Sequence, residues 1–424
     1  MRLLIVSHAF APFNSIGAVR LAKTSRLLTR LGWDVRVVCS RSEPFSPSLP
    51  IPLPQEAIVR ANGVDLDLPA RWAMKAVSRE YIAQGLDRPE SALLRIAKSV
   101  YRNVVFVPDS AVGWVPSAIS AGRELTSTWR PDMILASGPP FSAYFVASAL
   151  SESTGAPWVA ELRDLWADSP YYTFSRVRQH VDSALERMVL STASGFVGAT
   201  EHITTFLGRK YRRPSHLQYA GVESATAQDL SPVGSVSLPI RVVHTGTVYR
   251  GKRDPSPLLE AVRSLPAGEI EVLFFGRNLE PVREQVAKLK LEHSVRVLGS
   301  VPFPEAQAAQ RSADVLLLLL WRDTRDDGSI PAKLYEYLAR PQPIMVIGRE
   351  SCEASRLVRR CGAGVVFNDP CAIRDYLARL VAARRDGLRV LREDVTLPAW
   401  LSADSQVEGL ADFLTSVRFS QAAH

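Results

Sequence analysis

Apolar residues fall in short continuous runs separated by stretches with helical spacing. Arg2 to Ser7 encloses such a run, Gly17 to Leu31 repeats apolar positions every three to four residues, and Asp34 to Cys39 reads as another strand. This order predicts a βαβ opening and therefore a parallel sheet. The unit recurs in MILAS (Met133 to Ser137), a helical stretch to Ser153, WVAEL (Trp158 to Leu162), a helix near Val177 to Thr192, and GFVGAT (Gly195 to Thr200). The first half thus reads as doubly wound α/β. An insertion over about 42–107 interrupts it, Pro-rich from Ser42 to Pro69 and then helical in spacing from Arg71 to Arg102, with Trp72 and Tyr81 among basic residues.

The polar stretch from Glu223 to Ser237 has no periodicity and reads as a linker. Six strand-like runs follow: IRVVHTG, EVLFFG, VRVLG, DVLLLLLW, PIMVIG and GAGVVF, each closing near Gly or a polar turn. The expectation is α/β with two Rossmann-like domains, residues 1–228 and 229–400, and a terminal segment 401–424. In that segment Val407, Leu410, Ala411, Leu414 and Val417 share one helical face. That face must pack on something, and the first domain is its expected host.

Composition narrows the functional classes. The 424 residues are 46% hydrophobic and 22% charged, too long for one core and too apolar for a disordered polymer. The formal charge of +8 suits an anionic substrate, a membrane surface or nucleic acid. The 43 arginines, against eight lysines, are spread along the chain and not gathered in a tail, which speaks against nucleic acid. The longest apolar run, Val315 to Trp321, is far shorter than the ~20 residues of a membrane-spanning helix. The N-terminus lacks a small-residue cleavage site, so a cytoplasmic protein is expected. Cys39, Cys352, Cys361 and Cys371 have neither zinc-site pairing nor the number for a disulfide framework, so reduced thiols are expected.

Ligands of open α/β sheets collect at the carboxyl ends of strands, and two loops there carry chemistry. In HTGTVYRGKRDP a strand ends at Gly246, and Thr247, Arg250, Lys252 and Arg253 follow before a helix at Ser256. Such a cationic turn suits phosphate; the competing reading is a solvated basic turn. In RDDGSIPAKLYEYLA, Gly328, Ser329 and Ile330 precede Pro331, expected in a first helical turn whose N–H groups and dipole would receive an anion. Lys333 and Glu336 share a face, and Glu336 lies roughly 10 Å along the axis from Ser329. A diphosphate at the helix start and a ribose diol at Glu336 would suit one nucleotide; the bland alternative is a Lys333–Glu336 surface pair worth about 0.3 kcal/mol. In the first half Glu161, Arg163 and Asp164 close a strand, placed either to orient an acceptor hydroxyl or to form a buried network. His8 follows the first strand, with packing as its competing role.

Over nearly its whole length the chain resembles the GT-B glycosyltransferases, specifically the retaining family-4 type that uses nucleotide-sugar donors. The likeness rests on SHAFAPFNSIGAVR, SGPPFSAYFVA, VAELRDLW, YAGVE, HTGTVYRGKRDP, ADVLLLLL and GSIPAKLYEYLA in this order. It implies two Rossmann-like domains facing across a cleft, with the C-terminal helix packing back on the N-terminal domain. The second domain would bind the donor: Glu336 on the ribose, Gly328 to Ile330 and Lys333 around the diphosphate and sugar, Arg253 on the diphosphate. Relatives carry Arg where this chain has Thr247, for which Arg250 and Lys252 would substitute. Relatives also carry Glu where this chain has Gly328, for which Asp326 or Asp327 would supply the carboxylate. Gly17 and Arg20 resemble the loop that faces the diphosphate, the structural alternative being a helix N-terminus with a surface Arg. Tyr144 stands where relatives have His, on the acceptor side with Glu161, Arg163 and Asp164.

The resemblance implies transfer of a hexose-type sugar from a nucleoside diphosphate sugar to a hydroxyl acceptor with retention. Arg253 and Lys333 would stabilise the departing diphosphate, and Asp164 would act near the acceptor. No metal and no cofactor are expected. The acceptor is expected to be a glycan, a lipid-linked glycan or a small molecule, in polysaccharide or envelope glycan synthesis, with a peripheral membrane contact through Arg71 to Arg102. The competing readings are a natural-product-tailoring glycosyltransferase, a nucleotide-sugar epimerase, and a degenerate nucleotide-sugar-binding protein.

Overall fold

Strands that are apolar on both faces need cover on both faces, and the chain meets that need twice. The computed structural model describes residues 1–42, 44–64, 66, 101, 103–223, 237–392 and 396–422. These fall into two units, Met1–Gln218 with Val407–His424, and Tyr219–Gln406. Tyr219 belongs to the second because its N–H donates to Gln406 Oε1 (2.7 Å) and its hydroxyl to Glu353 Oε1 (3.1 Å).

The first unit runs β1 (Arg2–Val6), α1 (Ile16–Arg30), β2 (Asp34–Ser40), β3 (Ile58–Ala61), α2 (Val115–Thr128), β4 (Met133–Gly138), α3 (Ser142–Thr154), β5 (Trp158–Leu162), α4 (Arg176–Leu190), β6 (Gly195–Gly198), α5 (Glu201–Tyr211) and β7 (Ser215–Leu217). Its sheet is parallel throughout, in the order β3-β2-β1-β4-β5-β6-β7. The strand order reverses between β1 and β4, so the loops after these strands flank the switch point. Leu3 to Val6 are wholly buried, each contributing about 1.5–3 kcal/mol of transfer free energy. The Pro-rich insertion holds β3, a strand the periodicity did not mark. The helical reading of Arg71 to Arg102 lies outside the described residues, apart from Tyr101.

The second unit runs β8 (Ile240–Thr245), α6 (Ser256–Arg263), β9 (Ile270–Phe275), α7 (Glu280–Leu289), β10 (Val295–Gly299), α8 (Phe303–Arg311), β11 (Val315–Leu319), α9 (Lys333–Leu338), β12 (Ile344–Ile347), α10 (Glu353–Arg360), β13 (Gly364–Phe367) and α11 (Pro370–Arg385). The order is β10-β9-β8-β11-β12-β13, again parallel. Here the switch point lies between β8 and β11, whose loops are the two that carry the cations. Architecture is therefore α/β with two doubly wound sheets.

The last helix, α12 (Ala403–Ala422), buries Val407, Leu410, Ala411, Leu414 and Val417, the face its spacing marks. Phe413 stacks on His216 of β7, ring centroids 5.3 Å apart, and Thr415 reaches Met1 Sδ at 3.5 Å. The helix thus packs on the first sheet. Among the described residues no helix is long and apolar enough to cross a membrane.

Candidate functional site

β8 ends in His244 and Thr245, and Gly246 follows at φ +126°, a conformation that residues with a Cβ avoid. A Cβ there would lie 3.2 Å from Lys333 Nζ. Glycine is what lets the lysine of α9 lie across the strand end, where Nζ donates to Thr245 O at 2.9 Å. Burial pushes the Lys333 amine well below its ordinary value; the Arg253 charge acts the same way and Glu336 opposes it.

Glu336, one turn along α9, is held by Gln310 at the end of α8. Gln310 Nε2 donates to Glu336 Oε2 and to Thr245 Oγ1, both at 3.0 Å, while its Oε1 accepts from Arg340 Nε at 3.0 Å. The amide is therefore oriented by three partners. Burial raises the Glu336 carboxyl above its ordinary value, against Gln310, Arg340 and Lys333. Tyr337 completes the arrangement by accepting from Thr245 N at 3.1 Å. Lys333 and Glu336 are thus not an exposed pair: each has its own partners inside the unit.

The cationic turn divides its charges. Arg253 donates from Nη1 to Thr247 O (3.0 Å), lies over the Tyr249 ring (4.9 Å), and pairs by a backbone bridge with Trp321 after β11. Arg253 therefore ties the two switch-point loops together. Lys252 and Arg325 stand over the Trp321 ring at 4.5 and 5.0 Å. Arg250 pairs with Glu284 of α7 at 2.7 Å on the exposed surface. Arg250 and Lys252, expected to stand in for the arginine missing at Thr247, thus each hold a contact of their own, with Glu284 and with the Trp321 ring.

The anion cradle before α9 also differs from expectation. The helix begins at Lys333, not at Pro331, and has six residues and no side-chain cap. Ser329 N donates to Asp326 O (2.9 Å), and Leu334 N and Tyr335 N are spent on Pro331 O and Ala332 O (2.9 and 3.1 Å). Of the amides expected to receive an anion, that of Ser329 is therefore turned into its own loop, whereas Gly328 and Ile330 stand in the same half-buried turn. Asp327 is held by Arg349 Nε (2.7 Å) and Asp326 is buried, so neither carboxylate is placed as the replacement expected for the position of Gly328.

In the first unit Arg20 is buried, which overturns the surface arginine of the structural alternative. Its Nε donates to Glu161 Oε1 at 2.6 Å and its Nη2 to Gln218 O at 2.7 Å, so α1 is bound to the ends of β5 and β7. The Glu161 carboxyl sits below its ordinary value: burial raises it, but the Arg20 charge, the Ser137 hydroxyl and the Arg163 charge together prevail. Tyr144 is wholly buried and donates to Glu161 O at 2.8 Å, which removes it from the acceptor side. Arg163 donates from its backbone N to Gly138 O (3.0 Å) and from Nη2 to Pro139 O. A Cβ on Gly17 would fall 1.9 Å from Arg163 Nη1, so Gly17 makes room for that guanidinium. Asp164 is exposed, and the protein around it raises its carboxyl against the charge of Arg163. His8 meets Trp114 edge-on at 5.3 Å, a packing contact.

Gly17→Ala is accordingly expected to lower stability by about 1–3 kcal/mol through displacement of Arg163. In the double-mutant cycle with Arg163→Ala the two losses should add to less than their sum. Urea midpoints of the four proteins check this; strict additivity would refute the contact.

His244, Gln310, Tyr337 and Arg340 escaped the sequence reading. His244 lies two residues before the marked Gly246, a faint signal; Gln310 had none, because only the fold brings α8 beside α9.

Residues 17–221 match the family described as glycosyl transferase 4-like domain. The chain is similar in fold to sucrose-phosphate synthase (tll1590) from Thermosynechococcus elongatus, with TM-score 0.60, 13% identity, and 100% of this chain and 98% of that one covered. It is also similar to the lipopolysaccharide outer core galactosyltransferase WaaB, with TM-score 0.56, 13% identity and 98% and 99% covered. Anabaena Alr3699/HepE in complex with UDP and glucose gives TM-score 0.53, 13% identity and 100% and 98% covered. No protein of curated function matches the chain in sequence.

Proposed function

For this chain, whose residues 17–221 match the glycosyl transferase 4-like domain family and which carries the GT-B fold along its length, we propose transfer of a hexose-type sugar from a nucleoside diphosphate sugar to a hydroxyl acceptor, with retention. The observation that carries this is the placement of Lys333 over Gly246, with Arg253 and Glu336 acting on its charge. A cation at the mouth of β8 and a carboxylate one turn further along α9 match the two ends of a nucleoside diphosphate.

Lys333 and Arg253 would stabilise negative charge that grows on the diphosphate as the glycosidic bond breaks, so they favour the transition state over the ground state. Glu336 accepts from the ribose hydroxyls with the oxygen that Gln310 does not occupy. Asp164 is the acceptor-side carboxylate; Arg163 supports it from the preceding residue. Within the second unit Gly328, Ser329, Ile330 and Thr247 would flank the diphosphate beside Lys333. That HepE was determined with UDP and glucose supports a UDP-sugar among the donors, and the WaaB likeness supports an envelope saccharide as acceptor.

Calorimetry with UDP, GDP, dTDP and ADP sugars tests the reading. One donor is expected to bind, and Glu336→Ala to weaken it by about 2 kcal/mol, some thirtyfold, through loss of charge-assisted hydrogen bonds. Undiminished affinity in Glu336→Ala would show the nucleoside to lie elsewhere. Release of nucleoside diphosphate with acceptor present, insensitive to chelators, is the expected turnover. The anomeric configuration of the product, read by NMR, decides retention. Binding without release would favour the degenerate reading that Thr247 and Gly328 suggest. Sedimentation with anionic vesicles, with and without residues 71–102, tests the peripheral membrane contact.

A further inference from the structure

His244 takes no part in the chemistry above, yet it is wholly buried beneath Lys333. Its ring lies against Phe274 of β9, centroids 5.7 Å apart, and its Nδ1 is 3.0 Å from Leu317 O of β11. A carbonyl only accepts, so Nδ1 carries the hydrogen. Lys333 Nζ is 3.2 Å from Nε2 and 3.4 Å from Nδ1. An atom nearly equidistant from both ring nitrogens stands over the ring and not along the Nε2 lone pair. The ammonium therefore rests on the face of an imidazole, with one N–H spent on Thr245 O.

We propose that His244 is a positioning residue for Lys333: its neutral ring face supports the buried ammonium and keeps it charged at the diphosphate end of the site. The inference rests on the proposed donor reading. A ring face attracts a cation most where water is excluded, and an ammonium lowered into protein without such support gives up its proton. A protonated imidazole would place two cations in contact, and burial, Lys333 and Arg253 all oppose protonation, against the one favourable bond to Leu317 O. The charged groups that face the pair are Arg253 from the loop after β8 and Glu336 from α9; β9 and β11 present Phe274 and the Leu317 carbonyl.

His244→Leu and His244→Phe separate this role from packing, since both lose the bond to Leu317 O but only phenylalanine keeps a ring face. The full chain carrying [13Cε]lysine, with the Lys333 signal assigned from its loss in Lys333→Met, reports the Lys333 ionisation without any donor present. His244→Leu is expected to move that ionisation down by about one pH unit, and His244→Phe to leave it in place. With the nucleotide sugar that binds, the alkaline limb of kcat/KM should follow the same order, the leucine variant losing about tenfold where the wild type is still protonated. Should His244→Leu fail to fold, His244→Val takes its place. Equal movement in the leucine and phenylalanine variants, or none in either, overturns the proposal. Failure of every nucleotide sugar to bind would overturn the donor reading instead, while the lysine signal would still decide the role of His244.

Discussion

Lys333→Met is expected to lower kcat/KM by about 10²–10³-fold, the loss seen when one preorganised donor to a developing anion is removed. The same change should not destabilise the protein. The Lys333 amine is held well below its ordinary value by burial and by Arg253, so the unfolded chain binds this proton more tightly than the folded one. Protonation of Lys333 thus weakens folding most fully at pH below its folded-state value, and the handicap disappears as pH rises past the unfolded value. Methionine removes it at neutral pH. Activity carries the opposite sign: it needs the ammonium and is expected to fall as pH rises through the depressed value, below the usual lysine range. Donor kinetics over pH, beside urea midpoints, check both halves. A methionine variant that is inactive because it is unfolded would refute the assignment.

Arg20→Ala is expected to destabilise the first unit by about 3–5 kcal/mol, because it leaves Glu161 buried without its main countercharge. Adding Glu161→Gln should recover part of the loss, since a neutral amide costs less to bury than a lone carboxylate. The pair also predicts an acid limb. The Glu161 carboxyl lies below its ordinary value in the folded state, so its contribution is fully present above the unfolded carboxylate pKa and is lost as pH falls through the folded one. Tryptophan fluorescence follows this unit through Trp114, Trp129, Trp158 and Trp166, all buried there. An unchanged midpoint together with a large loss of donor affinity would restore Arg20 to the ligand and refute the structural role.

The fold was legible because burial on both faces of a parallel sheet writes itself as uninterrupted apolar runs, and VLLLLLW could hardly be anything but a central strand. The face of α12 was legible for the same reason, in helical period. The candidate site's loops were legible in outline: those holding Gly246 and Lys333 were marked by composition, and in the fold they follow the two strands of a switch point. β3 was not, since four residues inside a Pro-rich stretch carry too little periodicity to separate from loop.

By itself the sequence determined where strands and helices form and which loops carry charge, since those follow from local spacing. Only the tertiary structure decided what each charge is used for. Arg20 and Glu161 lie 141 residues apart, Lys333 and Thr245 88 apart, and Gln310 and Thr245 65 apart. Whether an arginine meets water, a carboxylate or a ligand depends on what folding brings within about 3 Å of it. Arg20, Arg250 and Arg253 look alike in a list of basic residues, yet one is buried against a carboxylate, one is paired on the surface, and one ties two loops beside a buried lysine.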